Sequence, residues 1–453
     1  MGQTLSEPVV EKFSDSGEDD RLLYGLSCMQ GWRITMEDAH AAVLDLQNSE
    51  NKKPTTKEDR LSFFGVYDGH GGDKVALFSG ENVHQILAKQ AAFEKGNYEQ
   101  ALKDGFLATD RAILQDARYD DEVSGCTASA ALITGKQIYV ANAGDSRTVL
   151  GVKGRAKPLS FDHKPQNEGE WARITAAGGF VDFGRVNGNL ALSRAIGDFE
   201  FKKSADLPPE QQIVTAYPDV VVHDISEDDE FLVVACDGIW DCQSSQAVIE
   251  FVRRGIAARQ ELQQICENLM DTCLASSSDT GGVGCDNMTM IIIGLLGGKT
   301  KQEWYDMICK RVEDGDGPCA PPEYAEKPKP RNGRKFDDSD NEDEDSNNSA
   351  IRKMTGGRVI MLGDGTEVLT ISDDIDMFDD ENKDEDDEAL QKTAQDQSPK
   401  DDSSKNAPAD PENLPDAPST VEQPSKDEAP KDDKKDEKDE KKEEKKEEKT
   451  ASA

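Results

Sequence analysis

From residue 22 to about residue 296 the chain alternates short apolar runs with turn signals. Residues 61–67, 137–143 and 231–236 are almost wholly apolar, the mark of strands buried on both faces. Residues 126–134 and 147–152 read as further strands, set off by glycine-containing turns. The short connections favour antiparallel pairing, since a parallel crossover needs more chain. Leu262, Ile265, Cys266, Leu269, Met270 and Cys273 share one stripe of a helix, and residues 98–117 (Leu102, Phe106, Ile113) and 75–90 predict two more. Sheet covered by helices gives an α/β or α+β domain.

The apolar runs have one feature that packing does not need. The first leads into Asp68-Gly69, the second into Gly144-Asp145, the third into Asp237-Gly238, and Asp286 stands just before the run 288–296. One Asp-Gly is ordinary turn chemistry, and Asp145 alone could cap a turn. Repeated delivery of carboxylates to strand ends predicts a cluster of hard oxygen ligands that would repel itself without cations. That points to a metal-dependent enzyme acting on an anionic substrate. With 5 histidines and no Cys-x-x-Cys pair, a zinc-dominated site is disfavoured.

Charge divides the chain. The formal net charge is -39 over 453 residues, and residues 331–453 hold 39 acidic and 20 basic side chains but only Phe336 and Phe378 among the aromatics. So little apolar surface cannot offset the entropy of ordering. The predicted organisation is a polar leader (1–21), a catalytic domain (22–300), a proline-containing linker (301–335) and an acidic, Lys/Glu-rich, largely disordered tail (336–453). Within the tail, residues 351–375 are less charged and read as a docking motif, a hairpin around Gly363-Asp364-Gly365, or a spacer. The charge has the wrong sign for nucleic acid. No Asp-x-Asp-x-Asp-Gly loop supports a calcium-binding protein. No apolar run approaches the roughly 20 residues of a membrane-spanning helix. The opening Met1-Gly2-Gln3-Thr4-Leu5-Ser6 fits N-myristoylation at Gly2, which would give at most weak, reversible membrane contact. Nine cysteines without a secretory signal suit a reducing compartment, cytoplasm or nucleus.

Four segments, Met29-Gln30-Gly31-Trp32-Arg33-Ile34-Thr35-Met36-Glu37-Asp38-Ala39-His40, Val66-Tyr67-Asp68-Gly69-His70-Gly71-Gly72, Ala235-Cys236-Asp237-Gly238-Ile239-Trp240-Asp241 and Gly284-Cys285-Asp286-Asn287-Met288-Thr289, occur in this order. With Gly144-Asp145-Ser146-Arg147 and the run from Arg185 to Asp198, they resemble the type 2C metal-dependent protein serine/threonine phosphatase family, most of all its fungal members with an acidic C-terminal tail. The resemblance implies a central sandwich of two antiparallel β-sheets flanked by helices on both faces, with metals at one end.

It also implies roles. Asp68 would bridge two Mg²⁺ or Mn²⁺ ions, the Gly69 carbonyl would bind one, and Glu37, Asp237 and Asp286 would bind the other directly or through water. Asp38 would hold water beside them. Asp145 and Asp241, with Asp237, resemble a weaker third site. Few protein ligands per ion suit cations that keep waters in an octahedral shell. Two ions roughly 4 Å apart would activate a bridging hydroxide for in-line attack on phosphoserine or phosphothreonine. Arg33 would grip the phosphate and His70 would protonate the leaving oxygen. No cysteine nucleophile is expected, for lack of a Cys-x5-Arg arrangement. Arg185 and Arg194 would order local structure, and residues 163–184 would form a flap beside the site. Phosphoprotein substrates, among them stress MAP kinases and cell-cycle or checkpoint kinases whose signalling would be dampened, and a monomeric state complete the expectation. The rival reading is a scaffold without activity, but such members lose metal ligands that are present here.

Overall fold

A computed structural model describes residues 4–46, 60–278, 282–325, 358–361 and 367–370. One sheet has the strand order β1 (Thr4–Glu18), β2 (Leu22–Arg33), β16 (Met288–Leu295), β15 (Asp229–Ala235), β9 (Arg147–Val152), β10 (Arg155–Pro158). The other runs β14 (Asp219–Asp224), β8 (Gln137–Ala143), β7 (Ala128–Ile133), β4 (Ser62–Tyr67), β3 (Ala39–Val43). Pairing within both is antiparallel throughout. Short strands β5 (Gly69–His70), β6 (Gly125–Cys126) and β13 (Ile196–Gly197) form a small sheet, and β11 (Val181–Asp182) pairs with β12 (Arg185–Val186).

Period-two packing explains the unbroken apolar runs. Leu232 and Val234 of β15, with Ile291, Ile293 and Leu295 of β16, meet Phe64, Val66 and Val140 between the sheets. Their alternate neighbours Phe231, Val233, Met290 and Ile292 face helices α6 (Ser245–Ala257) and α7 (Leu262–Cys273). With both faces covered, most positions of these strands are apolar, and polar ones such as Glu230 and Thr289 are buried with partners. Helices α1 (Lys74–Ala88) and α3 (Tyr98–Leu114), with the short α2 (Ala91–Glu94) between them, cover the second sheet through Val83, Leu87, Leu102 and Phe106. Three further helices are α4 (Glu168–Ala176), α5 (Asp237–Trp240) and α8 (Lys301–Glu313). Among the described residues no helix is long and apolar enough to cross a membrane.

Two expected boundaries need correction. The polar leader 1–21 contains β1, which lies antiparallel on β2 with Phe13 opposite Cys28 and Thr4 opposite Arg33. An edge strand gains its backbone bonds from one neighbour and needs no apolar face, so a polar sequence serves. The linker expected at 301–335 is folded in its first part. Trp304 and Ile308 of α8 are fully buried against the first sheet, and Ala320 is buried as well. Thr300 closes a capping box with Glu303 that starts the helix. Beyond it, the fully buried Arg253 pairs with Glu230 and donates to the Asp316 and Pro318 carbonyls at 2.7 and 3.1 Å.

Residues 358–361 and 367–370 form an antiparallel pair, β17 (Arg358–Met361) and β18 (Glu367–Thr370), with Val359 opposite Leu369. The turn between them, the rest of the tail and Gly2 lie outside the described residues.

Candidate active site

Strand register brings the aspartates to one end of the sandwich. β2 and β16 pair with Met29 opposite Met288, so the segments after Arg33 and before Met288 meet. β3 and β4 pair with Ala39 opposite Tyr67, which sets Asp38 beside Asp68. β9 and β15 pair with Arg147 opposite Ala235, so the Asp145 turn joins the start of α5, whose first residue is Asp237.

Asp38, Asp68 and Cys236 each offer a ligand atom within 4.8 Å of the others. Asp38 is buried; its Oδ2 accepts from Thr289 at 2.7 Å, while its Oδ1 has no partner. Burial pushes the Asp38 carboxyl up to about 6. Asp68 and Asp237 are driven well above the carboxylate range, first by burial and then by nearby carboxylates. A set of crowded, buried and half-buried carboxylates that cannot all ionise together, one with an orphaned oxygen, is a fit for hard divalent cations such as Mg²⁺ or Mn²⁺.

Glycine is required where backbones crowd. A Cβ at Gly69 would lie 2.2 Å from the Glu37 carbonyl, and one at Gly238 would lie 2.0 Å from the Asn287 carbonyl. Glu37 is held in place from several sides. Thr35 Oγ1 donates to its Oε1 at 2.7 Å, the Gly72 N–H donates to its Oε2 at 3.1 Å, and its own N–H donates to Asn287 Oδ1 at 2.9 Å. Asn287 also donates to the Gln30 and Thr35 carbonyls at 2.8 and 2.9 Å. It therefore ties the Glu37 segment to the Asp286 segment, a positioning role that reading the sequence did not assign.

Arg33 pairs with Asp286 at the mouth of a cleft lined also by Thr35, Glu37, Gly69 and Asn287. The predicted phosphate-gripping guanidinium thus already holds one carboxylate. Asp145 is buried and accepts from Lys164 Nζ at 2.6 Å, while Asp241 sits at the exposed rim with its N–H bonded to the Asp237 carbonyl at 2.8 Å.

His70 hydrogen-bonds through Nε2 to Asp198 Oδ2 at 2.7 Å. Burial alone would lower the imidazole, but the Asp198 hydrogen bond and charge prevail and raise it. Asp198 is buried, holds a left-handed φ of 51° and donates its N–H to the Ser124 carbonyl at 3.2 Å. A Cβ at Gly125 would lie 2.3 Å from the Asp198 carboxylate, so only glycine leaves room for the pair. Asp198 ends a motif visible in the sequence, but its partnership with His70 depends on three short strands that the sequence does not announce.

Farther along the chain, Arg194 bonds Glu170, Asp219 and the Tyr217 carbonyl, and Arg185 donates to the Asn189 carbonyl at 2.6 Å. Both order the chain locally. The flap they support exposes Trp171, Phe180 and Phe183.

The family model described as "Protein phosphatase 2C" matches residues 22–281. The chain is 70% identical over 389 residues to "Protein phosphatase 2C homolog 2" of Hypocrea jecorina, covering 85% of this chain and 89% of the relative. It is 63% identical over 327 residues to the protein of the same name from Schizosaccharomyces pombe, covering 72% and 87%. Among solved structures, a phosphatase from Toxoplasma gondii matches with a TM-score of 0.53 at 24% identity, over 63% of this chain and 96% of that one, a likeness of fold.

Proposed function

The chain belongs to the protein phosphatase 2C family and is a metal-dependent protein serine/threonine phosphatase, and from that premise we propose how its own residues carry the reaction. Asp68, Asp237 and Asp286, with Glu37, Asp38 and the Gly69 carbonyl, hold two divalent ions. Asp145 and Asp241 join Asp237 in a weaker third site. Bound magnesium or manganese supplies a water acidic enough to attack phosphorus and positive charge to offset that of the phosphate. Arg33 turns from Asp286 to the phosphoryl oxygens, for which its planar fork is suited. His70, whose imidazole Asp198 raises and orients, gives its proton to the departing serine or threonine oxygen. The observation that carries this reading is the meeting of buried Asp38 with half-buried Asp68 beside Cys236, with an Asp38 oxygen left without a partner and Asp237 close enough to raise Asp68.

The test is hydrolysis of a phosphothreonine peptide by the purified chain with Mn²⁺. Activity abolished by EDTA and restored by metal is the expected result; activity indifferent to EDTA would end the proposal.

Substrates are taken to be phosphoproteins, including activation-loop threonines of stress MAP kinases and cell-cycle or checkpoint kinases. The resemblance to fungal members supports this. Trapping on an Asp68→Ala variant, with mass spectrometry of the captured phosphoproteins, tests it. A monomer working in cytoplasm and nucleus fits nine unbridged cysteines. Acylation at Gly2 would add at most weak, reversible membrane contact.

A further inference from the structure

Two thiols sit where three segments of the acidic site converge. Cys242 follows α5, directly after Asp241, and is half-buried. Its sulfur lies 3.2 Å from the Gly238 carbonyl and 3.7 Å from the Cys273 carbonyl, which sets its side chain beside Cys273. Cys273 is the last residue of α7 and is buried. Its carbonyl packs on Gly284, where a Cβ would lie 2.4 Å away, and Gly284 is two residues before Asp286. The Ala275 N–H donates to the Gly284 carbonyl at 2.9 Å, joining the end of α7 to that loop.

We infer that Cys242 and Cys273 form an oxidation site, which a hydroperoxide converts to a disulfide that displaces the acidic cluster and switches the phosphatase off. This rests on the reading of Asp237, Asp241 and Asp286 as metal ligands.

Hydrogen peroxide first oxidises the more accessible Cys242 sulfur to a sulfenic acid; the peroxide O–O bond breaks and one water leaves. The Cys273 sulfur then attacks the Cys242 sulfur, the S–O bond breaks, the S–S bond forms and a second water leaves. Two electrons and two protons pass from the thiols to one peroxide. Bonded sulfurs are about 2.05 Å apart, closer than two thiols in contact, so the two side chains must draw together. Leu269 and Met270 of α7 share one packed core with Ile239 and Trp240 of α5, so closing the bond strains α5 and the carboxylates it carries. Where the end of α7 does shift, its contact with Gly284 carries the displacement to Asp286. A displacement of about 1 Å at reacting groups costs on the order of a hundredfold in rate.

The test uses the full chain, reduced and then exposed to hydrogen peroxide. Remaining thiols are alkylated and the digest is read by mass spectrometry, while Mn²⁺-dependent hydrolysis of a phosphothreonine peptide is followed in parallel. A peptide pair joining Cys242 to Cys273, an activity loss of at least tenfold and recovery with dithiothreitol are expected. Cys242→Ser and, separately, Cys273→Ala should begin within twofold of the parent and lose less than twofold. Absence of the linked pair when the half-buried Cys28 has been oxidised overturns the proposal. So does equal loss in the parent and both variants, or a linked pair with unchanged activity and unchanged Mn²⁺ affinity by calorimetry. The linkage is read by mass, so an untreated chain without Mn²⁺-dependent activity would defeat the metal-ligand reading separately, and the disulfide would still be scored.

Discussion

His70 and Asp198 stand 128 positions apart in the sequence yet share a 2.7 Å hydrogen bond at the mouth of the acidic cluster. The carboxylate raises the imidazole and orients its Nε2, which makes Asp198 a positioning residue for the proton donor.

Asp198→Asn should keep the fold and weaken proton donation. Without the carboxylate the raised His70 falls back, so the alkaline limb of the pH–rate profile should move to lower pH. Loss should be about tenfold or more on a phosphothreonine peptide and small on an aryl phosphate, whose leaving group needs no proton. Equal losses on both, with an unmoved profile, would remove the role.

Asp68→Ala and Asp237→Ala should abolish turnover by a factor of at least about a thousand while leaving the metal-free protein as stable as the parent, or more so. Both carboxyls are raised in the fold by burial and neighbouring negative charge, so truncating either relieves repulsion. Thermal unfolding in EDTA, compared with Mn²⁺, is the measurement; Mn²⁺ should raise the parent's Tm and not the variants'.

The Asp38 carboxyl gives a linkage prediction of defined sign. Its folded value, about 6, lies above the ordinary 3.8, so the native state binds this proton more tightly than the unfolded chain. Metal-free stability should therefore fall as pH rises between about 4 and 6, by up to roughly 3 kcal/mol from this group. Asp38→Asn should flatten that part of the profile in chemical denaturation at pH 4.5 and 7. A variant profile parallel to the parent's would contradict it.

Arg33→Ala should act on substrate capture, raising KM for a phosphopeptide about tenfold or more with a smaller effect on kcat. Because Arg33 also neutralises Asp286, the variant should bind the first Mn²⁺ at least as tightly as the parent. Steady-state kinetics with calorimetry of Mn²⁺ separates the two effects.

The folded boundary can be placed by truncation. A chain ending at Arg331 should keep nearly full activity on a small phosphate ester. One ending at Thr300 loses α8 and uncovers the site of the fully buried Trp304, and it should fail to fold or lose several degrees in Tm. Trp304→Ala in the full chain should cost about 3–5 kcal/mol in urea unfolding.

What the sequence revealed depends on how local each signal is. β4, β15 and β16 are legible because each is apolar on two faces, and their terminal aspartates stand out against that background. β1 is not, since an edge strand with exposed Val10 and Phe13 beside Glu7, Glu11 and Asp15 carries no clean alternation. α8 is hidden because only Trp304, Tyr305 and Ile308 are buried in a segment otherwise rich in Lys and Glu. Asp198 and Asn287 act through partners far along the chain, and no spacing rule reaches them.

The place of β2 between β1 and β16 has a consequence for synthesis. The second strand to leave the ribosome pairs with the last strand of its sheet, so its free edge waits until almost the whole domain has been translated. Such long-range closure is slow and leaves an open apolar strand to be shielded meanwhile. Newly made chains should therefore lean on chaperones until residue 295 has emerged, and stalled shorter ones should clump.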